Sequence, residues 1–229
     1  MKRYLYIIPI LSVIISGCLT SCQIDNYDGP DATVTGSVID NATGQPIITE
    51  PYGFRIKMDE ISWSDNPTPR YIAGYIDGTF NDKSYFAGTY VATPVDGAFV
   101  VPESQTIQVR SKQTTEVRFN VNPYIRFDNV SIVREGTKIK ATFTMTKFVE
   151  SSQPVDYAVI ANRATPYFGM SDNHVTTGRI TLTDADFGEQ KVIELENFEA
   201  GRMYYVRIAA YCLNATGRYN YTEVVSIQM

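Results

Sequence analysis

Lys138-Ile139-Lys140-Ala141-Thr142-Phe143-Thr144-Met145 alternates polar and apolar side chains without a break. Successive side chains of a strand point to opposite faces. A period of two therefore describes a strand with one face in a core and the other in water. A helix would need apolar residues three and four apart, and beyond Leu19 no run of eleven or more residues has that spacing.

The same pattern extends outward in both directions. Towards the N-terminus, Phe54, Ile56 and Met58 alternate with Arg55, Lys57 and Asp59. Thr33–Ile39, Ile72–Ile76, Ala87–Ala92, Ile107–Val109 and Val117–Val121 add further strands, and Gln45–Ile48 reads as extended. Towards the C-terminus come Ile125–Val133, Val155–Ala161, Arg179–Leu182, Lys191–Leu195, Val206–Cys212 and Tyr221–Gln228. Turn residues separate them: Asp40-Asn41-Ala42-Thr43-Gly44, Asp77-Gly78, Arg134-Glu135-Gly136-Thr137 and Thr216-Gly217. Short strands at regular spacing predict an all-β chain of two tandem β-sandwiches. Asn122-Pro123-Tyr124 reads as a hinge, which places domains at 32–122 and 123–229.

The start of the chain has a different character. Lys2-Arg3 precedes an apolar run from Tyr4 to Ile15, followed by small residues and cysteine. A basic segment, a short apolar segment and small residues at the cut describe a secretory signal. Both Ile15-Ser16-Gly17-Cys18 and Leu19-Thr20-Ser21-Cys22 read as a bacterial lipoprotein box. Cys22 is preferred because an acidic, polar tether follows it, and Cys18 is the alternative. The expectation is a signal peptide over 1–21, a tether over 22–31 and a protein held at a membrane by lipid. Pro9, Ser12, Ser16 and Gly17 interrupt the run, which falls short of the ~20 apolar residues of a spanning helix. The acidic Asp25 and Asp28, just behind Cys22, fit export to the cell surface.

Charge and composition exclude several functions. The formal net charge is −5, and removing Lys2 and Arg3 makes it −7. A mildly acidic chain without a basic stripe is a poor nucleic-acid binder. His174 is the single histidine, which excludes a multi-histidine metal site, and it reads as a solvated loop residue. No Gly-x-Ser-x-Gly elbow and no glycine-rich phosphate loop is present. Cys212 is the one cysteine beyond the signal region, so the sandwiches must stand on their cores without an internal disulfide. It falls on the apolar side of Val206, Ile208, Ala210 and Cys212, as a small core residue would. No catalytic residue, metal or cofactor is expected.

One segment stands out as a candidate ligand contact. Pro51–Phe86 holds the only tryptophan, Trp63, with Tyr71, Tyr75, Phe80, Tyr85 and Phe86. Trp63 lies in a polar, proline-rich stretch, Ser62–Pro69. Exposed aromatic rings can stack on the apolar faces of sugars. Trp63, Tyr71 and Tyr75 are therefore the candidate contacts. The alternative is that Trp63 folds back over the edge of the sandwich.

Two motifs carry family resemblances. Gly36-x-Val38-x-Asp40-x-x-Thr43-Gly44-x-Pro46-Ile47, followed by Asp77-Gly78-Thr79-Phe80 and Gly88-Thr89-Tyr90, resembles carboxypeptidase-regulatory-like, transthyretin-like domains. Phe198-Glu199-Ala200-Gly201-Arg202-Met203-Tyr204-Tyr205-Val206-Arg207-Ile208 resembles the penultimate strand of a fibronectin type III domain. That likeness implies an immunoglobulin-like sandwich with Tyr204 as its corner tyrosine, ring buried and hydroxyl bonded to nearby backbone. The early strands of this second domain depart from the fibronectin pattern in lacking a clear core tryptophan.

As a whole, the chain resembles a family of uncharacterised Bacteroides-type surface lipoproteins whose two parts are domains of unknown function. The resemblance implies outer-membrane display facing the cell exterior, and an accessory role beside starch-utilisation-like glycan uptake proteins. It supplies no ligand residues. Three functions follow as expectations: a non-enzymatic glycan-binding or accessory lipoprotein; a structural spacer, adhesin or protein-interaction module; and, least favoured, a hydrolase. Partners would be the membrane, through the lipid, with glycan and outer-membrane uptake proteins.

Overall fold

The computed structural model describes residues 29–172, 175–215 and 217–229. Cys18, Cys22, Asp25, Asp28, His174 and Thr216 lie outside the described residues. Nearly all regular structure is strand. The first eight strands are β1 (Ala32–Asp40), β2 (Arg55–Glu60), β3 (Arg70–Ala73), β4 (Thr79–Tyr85), β5 (Gly88–Val95), β6 (Phe99–Val100), β7 (Gln105–Val109) and β8 (Thr114–Pro123). They form two four-stranded sheets, ordered β4-β1-β8-β6 and β3-β2-β5-β7. β1 runs parallel to β8, and the other pairs in these sheets are antiparallel. Val34, Val38, Phe80, Phe119 and Val121 of the first sheet meet Ile56, Met58, Ile72, Tyr90 and Ala92 of the second in one core.

The motif beginning at Gly36 has a physical explanation. A Cβ at Gly36 would sit 1.9 Å from the Val117 carbonyl oxygen and 2.6 Å from the Phe80 ring, so β1 can lie this close to β8 only with glycine there. Asp40 Oδ1 accepts the Ala42 N–H and starts the turn, which Gly44 completes at φ 69°. Gln45–Ile48 makes a single bridge, Pro46 opposite Ile39, and not a strand. Proline has no N–H to continue a ladder.

Nine strands follow: β9 (Ile125–Glu135), β10 (Lys138–Lys147), β11 (Pro154–Asn162), β12 (Val175–Thr176), β13 (Ile180–Thr181), β14 (Gln190–Leu195), β15 (Met203–Cys212), β16 (Tyr219–Tyr221) and β17 (Val225–Gln228). One sheet is ordered β14-β10-β9. The other is β12-β11-β15-β16, with β13 also on β11 and β17 also on β15. Ile139, Ala141, Phe143 and Met145 of β10 all point into the core between these sheets, as the alternation predicts. Cys212 joins them, fully buried, and burial pushes its thiol up to about 11. Tyr204 is 3% exposed; its hydroxyl accepts the Glu199 N–H at 3.1 Å, and its ring meets Phe198 edge-on.

The single strand expected over Tyr221–Gln228 is two strands. The break lies at Thr222, whose carbonyl accepts from Arg207 Nη2 at 3.1 Å. The Ile208 N–H turns instead to the Thr222 hydroxyl, at 3.0 Å. A side chain thus replaces a rung of the ladder, and pairing resumes only at Val225.

β11 and β15 are buried on both faces. Tyr157, Val159 and Ala161 face the core of the second sandwich. Ala158, Ile160 and Ala209 face the other way, into a small cluster with Phe168, Tyr219 and Tyr221, against which Ile48 of the first sandwich packs. Charge completes this junction. Arg126 Nε donates to Asp40 Oδ2 at 2.6 Å, and its guanidinium also lies over the Phe148 ring. Glu50, 6% exposed, accepts from Tyr221 Oη at 2.9 Å and from Arg218 Nη1 at 3.2 Å. Asn220 bonds the Ala98 carbonyl and the Ile125 N–H.

Candidate functional site

Trp63 sits on the β2–β3 loop with 85% of its surface exposed. It does not fold back over the sandwich. The root of its loop is tied to β5: the Ile61 N–H donates to the Thr89 carbonyl at 2.9 Å, and the Thr89 N–H donates to Ser62 Oγ at 2.6 Å. The loop that carries the indole is thus anchored at its base.

Trp63 lines an open groove of about 690 Å³ with Phe86, Ala87, Glu60, Asp31, Ser111 and Gly29. Phe86, on the β4–β5 turn, is half exposed, and its carbonyl accepts from Tyr90 Oη at 3.1 Å. The Tyr90 hydroxyl is raised to about 12 by burial, so it stays a donor. Asp31 accepts from Ser111 Oγ at 2.8 Å and from the Lys112 N–H at 3.2 Å. The Ser111 bond, with lesser help from Lys112, holds the carboxyl below its ordinary value. Asp31 is therefore an acceptor and a poor proton donor. The groove combines two aromatic rings with two carboxylates and a hydroxyl, a surface suited to a hydroxyl-rich ligand.

The three predicted contacts are not brought together. Tyr71 lies on β3 opposite Lys57, with the Arg55 guanidinium 4.1 Å from its ring centroid, and Arg55 is itself paired with Asp96. One face of that ring is already taken. Tyr75, 49% exposed, follows β3 at the Asp77-Gly78 turn. The chain passes Trp63 beyond the Glu60 end of β2 and Tyr75 beyond its Arg55 end, about 17 Å apart along the strand. Phe86 is the aromatic residue that shares the groove with Trp63. Sequence reading placed Phe86 in the same aromatic segment but could not group the two, because their proximity comes from the pairing of β2 with β5.

Among the described residues no group of three or more His, Cys, Asp or Glu side chains could hold a metal ion, and no helix is long and apolar enough to cross a membrane.

Solved structures with a similar fold include proteins of Bacteroides and Parabacteroides. The fold is similar to that of a Bacteroides uniformis protein named a “putative carbohydrate binding protein”, at TM-score 0.75 and 23% identity, covering 88% of this chain and 100% of that one. It is similar to a DUF3823 family protein of Bacteroides uniformis, at TM-score 0.74 and 22% identity over 87% of this chain and 100% of the other. A DUF3823 family protein of Parabacteroides merdae matches at TM-score 0.71 and 20% identity, over 88% and 100%. No family model and no curated protein matches the sequence. At these identities the likeness shows the fold: this chain has the all-β architecture of an uncharacterised Bacteroides family.

Proposed function

We propose that this chain is a non-catalytic, lipid-anchored outer-membrane protein that binds glycan at the Trp63 groove beside starch-utilisation-like uptake proteins. In this reading the chain divides at Asn122-Pro123-Tyr124 into a transthyretin-like and a fibronectin-like domain. The observation that carries it is an 85% exposed Trp63 lining one groove with Phe86 and the Asp31 and Glu60 carboxylates. The Bacteroides uniformis neighbour named for carbohydrate binding supports the ligand class.

An exposed tryptophan near a lipid anchor also suits a membrane surface. If Cys22 carries the lipid, the seven peptide units from it to Gly29 reach at most about 25 Å. The groove, which Gly29 lines, then lies close to the headgroups. The two carboxylates favour sugar, because a patch bearing Asp31 and Glu60 is repelled by anionic headgroups and offers acceptors to hydroxyls.

Two experiments test the proposal. Fatty-acid analogue labelling in cells is expected to be lost in Cys22→Ala and kept in Cys18→Ala; labelling that survives Cys22→Ala moves the anchor to Cys18. On a glycan array the wild-type chain binds, and Trp63→Ala weakens binding by about 1–3 kcal/mol, the scale of aromatic stacking on flat ligands. Unchanged array binding, with vesicle association lost instead, would make the loop a membrane contact.

A further inference from the structure

The second sandwich carries another cavity, of about 520 Å³, at the end of β11 and the start of β15. Buried residues back it, Ala161 and Tyr204 from the core face of the sheet and Phe168 from the other face. Its rim is polar and mixed in sign. Arg163 pairs with Glu199 at 3.1 Å, and both side chains are more than half exposed. Tyr167 lines it with 65% of its surface open.

The position of Tyr167 is fixed by its neighbours. Asn162 Oδ1 accepts the N–H groups of Ala164 and Thr165, and Thr165 Oγ1 accepts that of Tyr167. The next residue, Phe168, is fully buried, and its carbonyl accepts from Arg207 Nη1 at 3.1 Å. Arg207 has no exposed surface and stacks on Tyr221 at 4.0 Å. The Met170 N–H donates to Tyr221 Oη, which donates to Glu50 of the first sandwich. At Gly169 the backbone lies so close to Glu50 that a Cβ would come within 2.2 Å of Oε2. Hydrogen bonds thus hold the main chain on both sides of an exposed aromatic residue. A backbone already in place lowers the ordering that a ligand must impose on binding.

From this arrangement we propose that the Tyr167 cavity is a second saccharide-contact site, separate from the Trp63 groove. The proposal rests on the saccharide reading above. A sugar ring has one apolar face for stacking and a circumference of hydroxyls, each both donor and acceptor. Tyr167 supplies the platform, Arg163 the donors and Glu199 the acceptors. Arg163 and Glu199 offset each other and Asp172 adds a further carboxylate to the lining, so the site suits neutral sugars in preference to uronates. Two contact sites on one chain would bind a long polysaccharide through effective concentration, each weak alone.

The test is titration calorimetry of the full chain in detergent with neutral hexasaccharides of glucose, mannose and xylose. Trp63→Ala removes the first site and is expected to leave measurable binding. Adding Tyr167→Ala should weaken that residual binding about 5- to 100-fold, and Tyr167→Phe should restore it. Melting temperatures should be equal across these variants, since both rings are exposed. The inference is overturned if Trp63→Ala alone abolishes binding, or if Tyr167→Ala changes nothing in that background; the Trp63 reading then stands by itself. Wild-type chain that binds none of the hexasaccharides overturns both.

Discussion

Tyr204 shows what one residue can reveal before its structure is known. A tyrosine entering an alternating strand just after a glycine turn is legible locally, and so is the reason for it. Its ring fills the core while its hydroxyl reaches the Glu199 N–H only five residues back. Tyr204→Phe leaves that N–H without a partner and is expected to cost about 1 kcal/mol. Tyr204→Ala empties a large core site and is expected to cost roughly 3–5 kcal/mol. Urea unfolding of the two variants checks the order; an alanine variant as stable as wild type would contradict the corner geometry. Arg207 is the opposite case. Its sequence position says only that it opposes the core face of β15, yet it is wholly buried. The carbonyls that receive it, from Phe168 and Thr222, lie 39 and 15 residues away, where no local pattern records them.

At the scale of elements, period-two alternation locates strands well wherever a strand has one wet face, as β2 and β10 do. It says less where both faces are covered, as in β11, and it cannot see β6, two residues long. It also ran Tyr221–Gln228 together, because the break depends on Arg207 drawing the Thr222 carbonyl away. Gly36 is a point where sequence and element agree. Its absent side chain lets β1 lie between β4 and β8. Gly36→Ala would drive a Cβ into the Val117 carbonyl, which is backbone and cannot turn aside. The expected loss is at least about 1–3 kcal/mol, the scale of overpacking. Thermal unfolding measures it, and a variant melting like wild type would mean that β1 does not approach β8 so closely.

For the whole molecule, the junction matters most, and it was the least legible feature. Glu50 meets Arg218 and Tyr221, 168 and 171 residues away in sequence. Nothing near Glu50 announces a buried carboxylate. Buried tyrosines, two at this junction and two in the core of the first sandwich, give the molecule a pH limit. Burial, first among the causes, raises the Tyr85, Tyr219 and Tyr221 hydroxyls well above the usual phenol range and Tyr90 to about 12. Tyr219 and Tyr221 donate to Asp156 and Glu50, which further disfavours their ionisation. In the unfolded chain these phenols ionise near pH 10. The folded state holds the proton more tightly, so this contribution to stability is complete below about pH 10 and is lost as pH rises above it. Alkaline titration should therefore show a set of phenols ionising only as circular dichroism is lost. All phenols titrating together near pH 10, with the fold intact, would contradict the burial of these tyrosines.

The central claim, that Trp63 is an open platform for sugar, has a direct optical test because Trp63 is the only tryptophan in the chain. Its fluorescence reports that groove and no other place. The account predicts a red-shifted, solvent-exposed indole emission that changes saturably when a neutral oligosaccharide bound on the array is titrated in. It predicts the same change, reduced in affinity, when Phe86→Ala removes the second ring. Blue-shifted emission, or emission unmoved by a glycan that calorimetry shows to be bound, would contradict it.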